Sequence, residues 1–137
     1  MPSVSNRTLR QFLCIGTSQA PLICNGSVIV VSQVPASQLK TGDLAVFKIE
    51  QQHVCHRVLE IRGSGPTLEF LMKGDRRKKE DGWIYWNQFI GRVESVDGRT
   101  KHHWRFAILD RIMFSYSLVQ YKIQKLVLQW RVKSNSY

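Results

Sequence analysis

The chain has 137 residues, of which 43% are hydrophobic and 22% are charged, and its formal net charge is +10. This length and composition predict a single folded domain and exclude an intrinsically disordered chain. Neither a run of about 18 apolar residues nor the apolar core of a secretion signal is present, so a cytoplasmic location is expected, with peripheral membrane association as the alternative.

Alternating apolar and polar residues predict that the first part of the chain is rich in β-structure. The segment that ends near Ile15 fits a short helix or a strand equally well. Turn residues separate the later apolar runs, and residues 83–90 form a short aromatic-rich piece. Five or six short strands predict a mainly β fold, either a coiled antiparallel sheet or a partly open barrel. Apart from the first segment, strands are predicted at residues 27–33, 44–50, 54–61, 67–72 and 91–96.

The pattern becomes helical after residue 103, where apolar residues recur at three- and four-residue steps. This spacing predicts one amphipathic helix of roughly 25 residues, or two shorter ones, with a basic polar face. We expect its apolar face to pack on the sheet or on a partner protein, or else to lie on a membrane surface. The chain is therefore divided into a β domain, residues 1–103, and a basic helical extension, residues 104–137. The apolar stripe consists of Ile108, Ile112, Tyr116, Val119, Ile123, Leu126 and Trp130.

Positive charge is concentrated in the second half of the chain. Residues 1–70 contain six Lys and Arg against four Asp and Glu, whereas residues 71–137 contain fourteen against six. Such a basic surface attracts nucleic acid, an anionic membrane or an acidic peptide. The cysteines Cys14, Cys24 and Cys55 match no metal-binding spacing, so we expect reduced thiols and neither a metal nor a cofactor.

Ser18, in the segment GTSQAP ahead of an apolar strand, is a candidate nucleophile. A serine hydroxyl attacks efficiently only when a base removes its proton. His56 is the candidate base, because imidazole titrates near neutral pH. An acid that accepts the other imidazole proton would orient the ring, and Asp75 and Asp81 are both candidates. Each residue, taken singly, also fits an ordinary structural role in a loop, strand or turn.

Five short motifs, taken in order, resemble the serine–histidine branch of the type I signal peptidase family. That branch carries G-x-S-M-x-P, GD-V-V-F, H-R-V, K-G-D with a later aspartate, and G-R-V or G-K-V. The corresponding segments here are GTSQAP at 16–21, GDLAVF at 42–47, HRV at 56–58, KGD at 73–75 with Asp81, and GRV at 91–93. The resemblance covers about residues 12–96.

The resemblance implies a signal-peptidase-type β fold and a serine endopeptidase that forms an acyl-enzyme on Ser18. It implies that His56 is the general base, that Asp81 orients the imidazole and that Asp75 supports the site. The backbone N–H of Ser18 would be part of an oxyanion hole. In that family an edge strand pairs with the extended substrate. The expected partner is a peptide or protein precursor that loses a leader or propeptide, and no cofactor is implied.

Departures from the family pattern concern the residues expected to bind substrate. Gln19 stands where the family has methionine, which makes one wall of the pocket polar. Together with Pro21 it is expected to contact the substrate. Arg76 and Arg77 replace two asparagines after the K-G-D motif, and with the lysines up to residue 79 they are expected to dock an acidic peptide.

Three other interpretations stay open. A catalytically weak or inactive peptide-binding module would keep the fold without the chemistry. A basic β domain that binds nucleic acid would use the charged loop and the nearby aromatic residues Trp83, Tyr85 and Trp86, although we regard nucleic acid as the less favoured partner. Self-cleaving repressors share the serine motif, but they use a lysine base and carry a DNA-binding domain, for which there is no room before Gly16.

Overall fold

Eight strands and one long helix make up the part of the chain that the computed structural model describes, which is residues 8–16, 18–77, 79–100 and 102–134, with the backbone alone for Val132 and Ser134. Predictions for the remaining residues, Thr17 and Lys78 among them, lie outside this description. The strands are β1 (Leu9–Leu13), β2 (Val28–Ser32), β3 (Leu44–Ile49), β4 (Gln52–Arg62), β5 (Glu69–Lys73), β6 (Trp83–Tyr85), β7 (Phe89–Val96) and β8 (Arg99–Thr100), and the helix is α1 (Trp104–Ser134).

All the described strands belong to one antiparallel sheet. Its order is β1-β2-β7-β3-β4-β5-β6, and β8 pairs with β7. Three strands separate β1 from β4 within the sheet, yet the rings of Phe12 and His53 lie only 5.2 Å apart between centroids. The sheet therefore curls into a half-barrel in which β1 faces the start of β4. This confirms the prediction of a mainly β fold with a coiled antiparallel sheet.

The strand count exceeds the five or six expected, for local reasons. The first segment, which fitted a helix or a strand, is the strand β1, because its backbone pairs with β2 from Leu9–Ser32 to Leu13–Val28. The aromatic-rich piece divides into β6, one turn of 3₁₀ helix at Trp86–Gln88 and the start of β7. Strand β8 has only two residues, which is too short to show an alternating pattern.

Two apolar clusters lie on opposite faces of the sheet, because successive residues of a strand point to opposite sides. In β3, Leu44 and Val46 join the first cluster, whereas Ala45 and Phe47 join the second. The first cluster includes Phe106 from the start of α1, so the helix covers this face. The second cluster lies on the other face, and its other buried members are Leu39, Val58, Phe70, Met72 and Ile84.

The face of α1 that meets the sheet is not the predicted one. Asp110 accepts a hydrogen bond from Arg57, and Tyr121 donates one to Glu60. Phe114 packs over Gly42, where any Cβ would meet its ring at 3.3 Å. The expectation that the apolar stripe packs on the sheet is wrong, since every stripe residue is exposed. Periodicity located this stripe but did not reveal which face the sheet would bind. In the ranges described above, no helix is long and apolar enough to cross a membrane.

Candidate active site

Three side chains from separate parts of the chain form a hydrogen-bonded row. Ser18 lies in the loop between β1 and β2, His56 in β4, and Asp81 in the loop between β5 and β6. The Oγ atom of Ser18 lies 3.0 Å from Nε2 of His56, and Nδ1 of the same ring is bonded to the Asp81 carboxylate. Because an ionised carboxylate only accepts hydrogen bonds, Nδ1 carries the ring proton, and Nε2 of the neutral ring accepts from the serine hydroxyl. A serine nucleophile and its histidine base require this order of donors and acceptors.

The centre of this row is shielded from water. His56 is 3% exposed, while Ser18 and Asp81 are half-buried. The Asp81 N–H donates to the Met72 carbonyl over 2.7 Å, which fastens the Asp81 loop to β5. A Cβ at Gly74 would lie 3.0 Å from Nε2 of His56 and 3.1 Å from Cβ of Ser18. The missing side chain at Gly74 thus leaves room for the serine and the imidazole to meet.

Asp75, the other candidate acid, is fully buried and holds neighbouring segments together. Its carboxylate accepts two hydrogen bonds from Arg57, each 2.8 Å long, one of 2.7 Å from Ser117 and one of 3.2 Å from Gln19. Burial alone lowers the pKa of the Arg57 guanidinium, but its bonds to Asp75 and Asp110 raise that pKa above its usual value. A buried ion pair needs such additional hydrogen bonds to offset its desolvation. Of the two acids, only Asp81 is bonded to the imidazole, and Asp75 anchors the surrounding structure.

Gln19 connects the serine loop to the Asp75 turn through both ends of its amide. Its Nε2 donates to the Asp75 carboxylate, and its Oε1 accepts the Asp75 backbone N–H at 2.6 Å. The Ser18 carbonyl accepts a further 2.8 Å bond from the backbone N–H of Arg76. Gln19 is 3% exposed, so these bonds form away from solvent. Three hydrogen bonds therefore hold Ser18 against the turn beside His56.

A cleft of about 740 Å³ opens beside the Ser18–His56 pair. Residues 12–15, at the end of β1 and just beyond it, line one wall, and residues 52–55 of β4 line the opposite wall. Among the described residues, strand β1 is an edge of the sheet, so no described strand pairs with the backbone groups on its outer side. Leu13 and Ile15 are exposed there. The cleft thus combines an unpaired strand edge with exposed apolar side chains.

The four residues expected to bind substrate take different positions. Gln19 and Arg77 border the cleft, and Nη1 of Arg77 lies 4.0 Å from an Asp81 oxygen. Pro21 and Arg76 are exposed and lie outside the cleft lining. The amide of Gln19 is already bonded to Asp75, whereas Arg77, of these four residues, presents a charged group beside the Ser18–His56–Asp81 row. Lys78, within the expected docking patch, lies outside the described residues.

Two other reactive side chains, Cys55 and Lys73, lie near the row. Burial, its largest cause, raises the pKa of the Cys55 thiol, which lies in the cleft wall. The thiolate is the reactive form of cysteine, so Cys55 is a poor nucleophile here. Burial lowers the pKa of the Lys73 ammonium, which donates to the Gly74 carbonyl over 3.1 Å. The base that reaches the Ser18 hydroxyl is the imidazole of His56.

Of the residues around the row, Asp75 was expected from the resemblance to support the site, whereas Arg57, Gln19 and Ser117 were not given this role. Arg57 directly follows His56, and a buried aspartate in the K-G-D motif would have suggested a cationic partner. Gln19 was singled out, but as a substrate contact. Nothing in the sequence pointed to Ser117, because a single serine in a helix does not indicate which distant residue its hydroxyl will bond.

Comparison with known proteins adds no assignment: none of the protein-family models searched matches the chain, and a search of curated proteins returned no significant match. The geometry must therefore be interpreted from the residues themselves. Within the described ranges, no group of His, Cys, Asp and Glu side chains is arranged to hold a metal ion.

Proposed function

We propose that this protein is a serine endopeptidase of the type I signal peptidase kind, which removes a leader or propeptide from a peptide or protein precursor. The observation that carries the proposal is the hydrogen-bonded row of Ser18, His56 and Asp81 at the side of an open cleft. The order of five sequence motifs supports it further. The described strands form a curled antiparallel half-barrel. That this half-barrel is of the signal-peptidase type is part of the proposal.

In the proposed reaction, His56 Nε2 takes the hydroxyl proton as Ser18 Oγ attacks the scissile carbonyl carbon. Asp81 stabilises the imidazolium that forms. The tetrahedral intermediate collapses when the imidazolium gives its proton to the leaving amine, which breaks the peptide bond and leaves an ester on Ser18. Water then attacks the ester with His56 again as base, and a new carboxyl end and the free serine result. The Ser18 N–H is proposed as one donor to the oxyanion.

The cleft supports an extended peptide as the substrate. A strand that entered between residues 12–15 and 52–55 would bond to the free backbone edge of β1 and place its carbonyl at Ser18. Small residues next to the cut are expected from the family that the chain resembles. Arg77, at the Asp81 end of the cleft, is placed to attract an acidic residue of the precursor.

The nucleic-acid interpretation has less support from the geometry of its aromatic residues. The guanidinium of Arg62 covers one face of the Trp83 ring at 3.7 Å from the centroid, so this face does not stack on a base. The indole N–H of Trp86 donates to the Pro66 carbonyl. Of these three aromatic residues, Tyr85 is exposed, and no cation–π contact of its ring is seen among the described residues.

Peptide cleavage tests the proposal. Wild type, Ser18→Ala and His56→Ala are each incubated with a mixed-sequence peptide pool, and the products are read by mass spectrometry. We expect cuts that disappear in both variants, with a loss of at least about a thousandfold, because either change removes part of a unit that acts together. Asp81→Asn should still bind the peptides but lose most of the cleavage rate, since the imidazole would no longer be held in the required tautomer.

Matched controls are Ser115→Ala and His102→Ala, which change an exposed serine and an exposed histidine elsewhere. Both should cut like wild type. A fluorophosphonate probe that labels Ser18 in wild type but not in His56→Ala gives a readout that needs no substrate. Specific peptide binding that is equal in all variants, without cuts and without labelling, would replace the proposal with the peptide-binding module.

A further inference from the structure

The helix α1 turns a row of apolar side chains away from the protein. The seven residues of the apolar stripe are between 52% and 70% exposed, and Trp104, one turn before Ile108, is 63% exposed. The contacts with the sheet come from the opposite side of the helix, through Asp110, Ser117 and Tyr121. Single exposed apolar residues are common on proteins, but a continuous row of eight along one helix marks a binding surface.

The stripe is long and ends in tryptophan on both sides. From Trp104 to Trp130 the helix rises about 39 Å at its usual 1.5 Å per residue. Tyr116 lies between them on the same stripe. Tryptophan and tyrosine favour the boundary between lipid chains and water, because their rings are apolar and carry one polar group.

Positive charge accompanies the stripe. α1 contains six Lys and Arg, and its single acidic residue, Asp110, points to the sheet and binds Arg57. Arg105, Arg111, Lys122 and Lys125 are exposed. At 100° per residue, Arg105, Arg111 and Lys122 lie within the stripe or at its margin, so their charges would meet any surface that the stripe contacts, whereas Lys125 lies nearer the side that faces the sheet.

This charge distribution decides between possible occupants. If two copies paired along their stripes, the like charges of Arg111 and Lys122 would come together with no acidic residue of α1 available between them. An anionic lipid surface instead offers apolar chains to the stripe and negative headgroups to its margins. We propose that α1 binds the protein to an anionic membrane surface, with the helix lying in the plane of the interface. This proposal does not depend on the peptidase activity.

Vesicle co-sedimentation of the full chain tests the proposal. Wild type should bind vesicles that contain phosphatidylglycerol, bind vesicles of pure phosphatidylcholine at least about tenfold more weakly, and dissociate as the salt concentration rises. The double variant Ile112→Glu with Ile123→Glu should lose binding by at least about tenfold, because it places charge in the lipid-facing stripe. Arg111→Gln with Lys122→Gln should lose on the order of tenfold on anionic vesicles only.

The matched control is Gln33→Glu with Gln38→Glu, which changes the net charge by the same amount at exposed positions outside α1. It should bind vesicles nearly as wild type does, and circular dichroism should show that all the variants stay folded. Two results would overturn the proposal. One is equal binding by the stripe variant and the control. The other is a wild-type dimer, seen by light scattering, that the stripe variant dissociates while neither protein binds vesicles.

Discussion

Gln19 shows how a residue next to a proposed nucleophile can hold the surrounding loop in place. Its amide supplies one donor and one acceptor, and Asp75 takes both, one at its carboxylate and one at its backbone N–H. Methionine, the residue of the family pattern, would fill similar space but could make neither bond. The buried N–H of Asp75 would then lose its partner, which is the costly form of a broken hydrogen bond.

We therefore expect Gln19→Met to lower the free energy of unfolding by about 1–3 kcal/mol. If Ser18 is the nucleophile, kcat should fall more than KM rises, since the serine loop would lose its attachment to the Asp75 turn. Chemical denaturation measures the first effect, with Gln38→Met at an exposed position as the control. Equal stability of the variant and wild type would show that the Gln19–Asp75 bonds do not hold the loop.

At the scale of elements, α1 is part of the support of the proposed site and not only an extension of the β domain. Ser117 donates to the same carboxylate that Arg57 and Gln19 bind, and Asp110 binds the far side of the Arg57 guanidinium. The helix face that packs on the sheet therefore carries polar groups beside Phe106 and Phe114, because buried charged groups of β4 and the Asp75 turn require hydrogen-bond partners. The apolar stripe is left facing outward as a consequence.

Ser117→Ala should lower the free energy of unfolding by about 1.5–3 kcal/mol, the usual range for a hydrogen bond to a charged group. Ser115→Ala, two residues earlier on the exposed side of the same helix, should change it by less than about 0.5 kcal/mol. Urea denaturation measures the free energy of unfolding of both variants. Because both replace serine by alanine in α1, the difference between them excludes the change in helix propensity. A similar loss in the two variants would mean that the Ser117–Asp75 bond contributes nothing specific.

The whole molecule is held together by strands that serve both apolar clusters. Alternate residues of β3 enter opposite clusters, so neither cluster can be lost while the sheet stays intact. Ile29 is buried in the first cluster and Phe70 in the second. The structure therefore predicts one cooperative unfolding transition.

Ile29→Ala should destabilise the protein by about 2–5 kcal/mol and Phe70→Ala by about 3–5 kcal/mol. Each should shift the same transition, whether it is followed by tryptophan fluorescence or by far-ultraviolet circular dichroism. Leu13→Ala, which truncates an exposed side chain of β1, should leave the midpoint nearly unchanged. Separate transitions in the two signals would show instead that the clusters unfold independently.

Local patterns in the sequence determined much of this architecture. Alternation of apolar residues located β2, β3, β4, β5 and β7 to within a few residues, and three- and four-residue steps located α1, because each signal depends only on near neighbours. Ser18, His56 and Asp81 were likewise proposed from motifs in a characteristic order. The local pattern did not predict β8, which has only two residues, and it did not distinguish a strand from a helix at β1.

Only the tertiary structure decided which distant groups meet. Gln19 and Ser117 reach Asp75 across 56 and 42 residues of chain, and no local pattern encodes such a partner. The orientation of α1 depends on the same contacts: its periodicity defines an apolar face, but the buried charges of Arg57 and Asp75 determine which face the sheet accepts. A side chain's hydrogen-bond partner is a property of the folded chain, whereas the tendency to form a strand or helix is already present in a short segment.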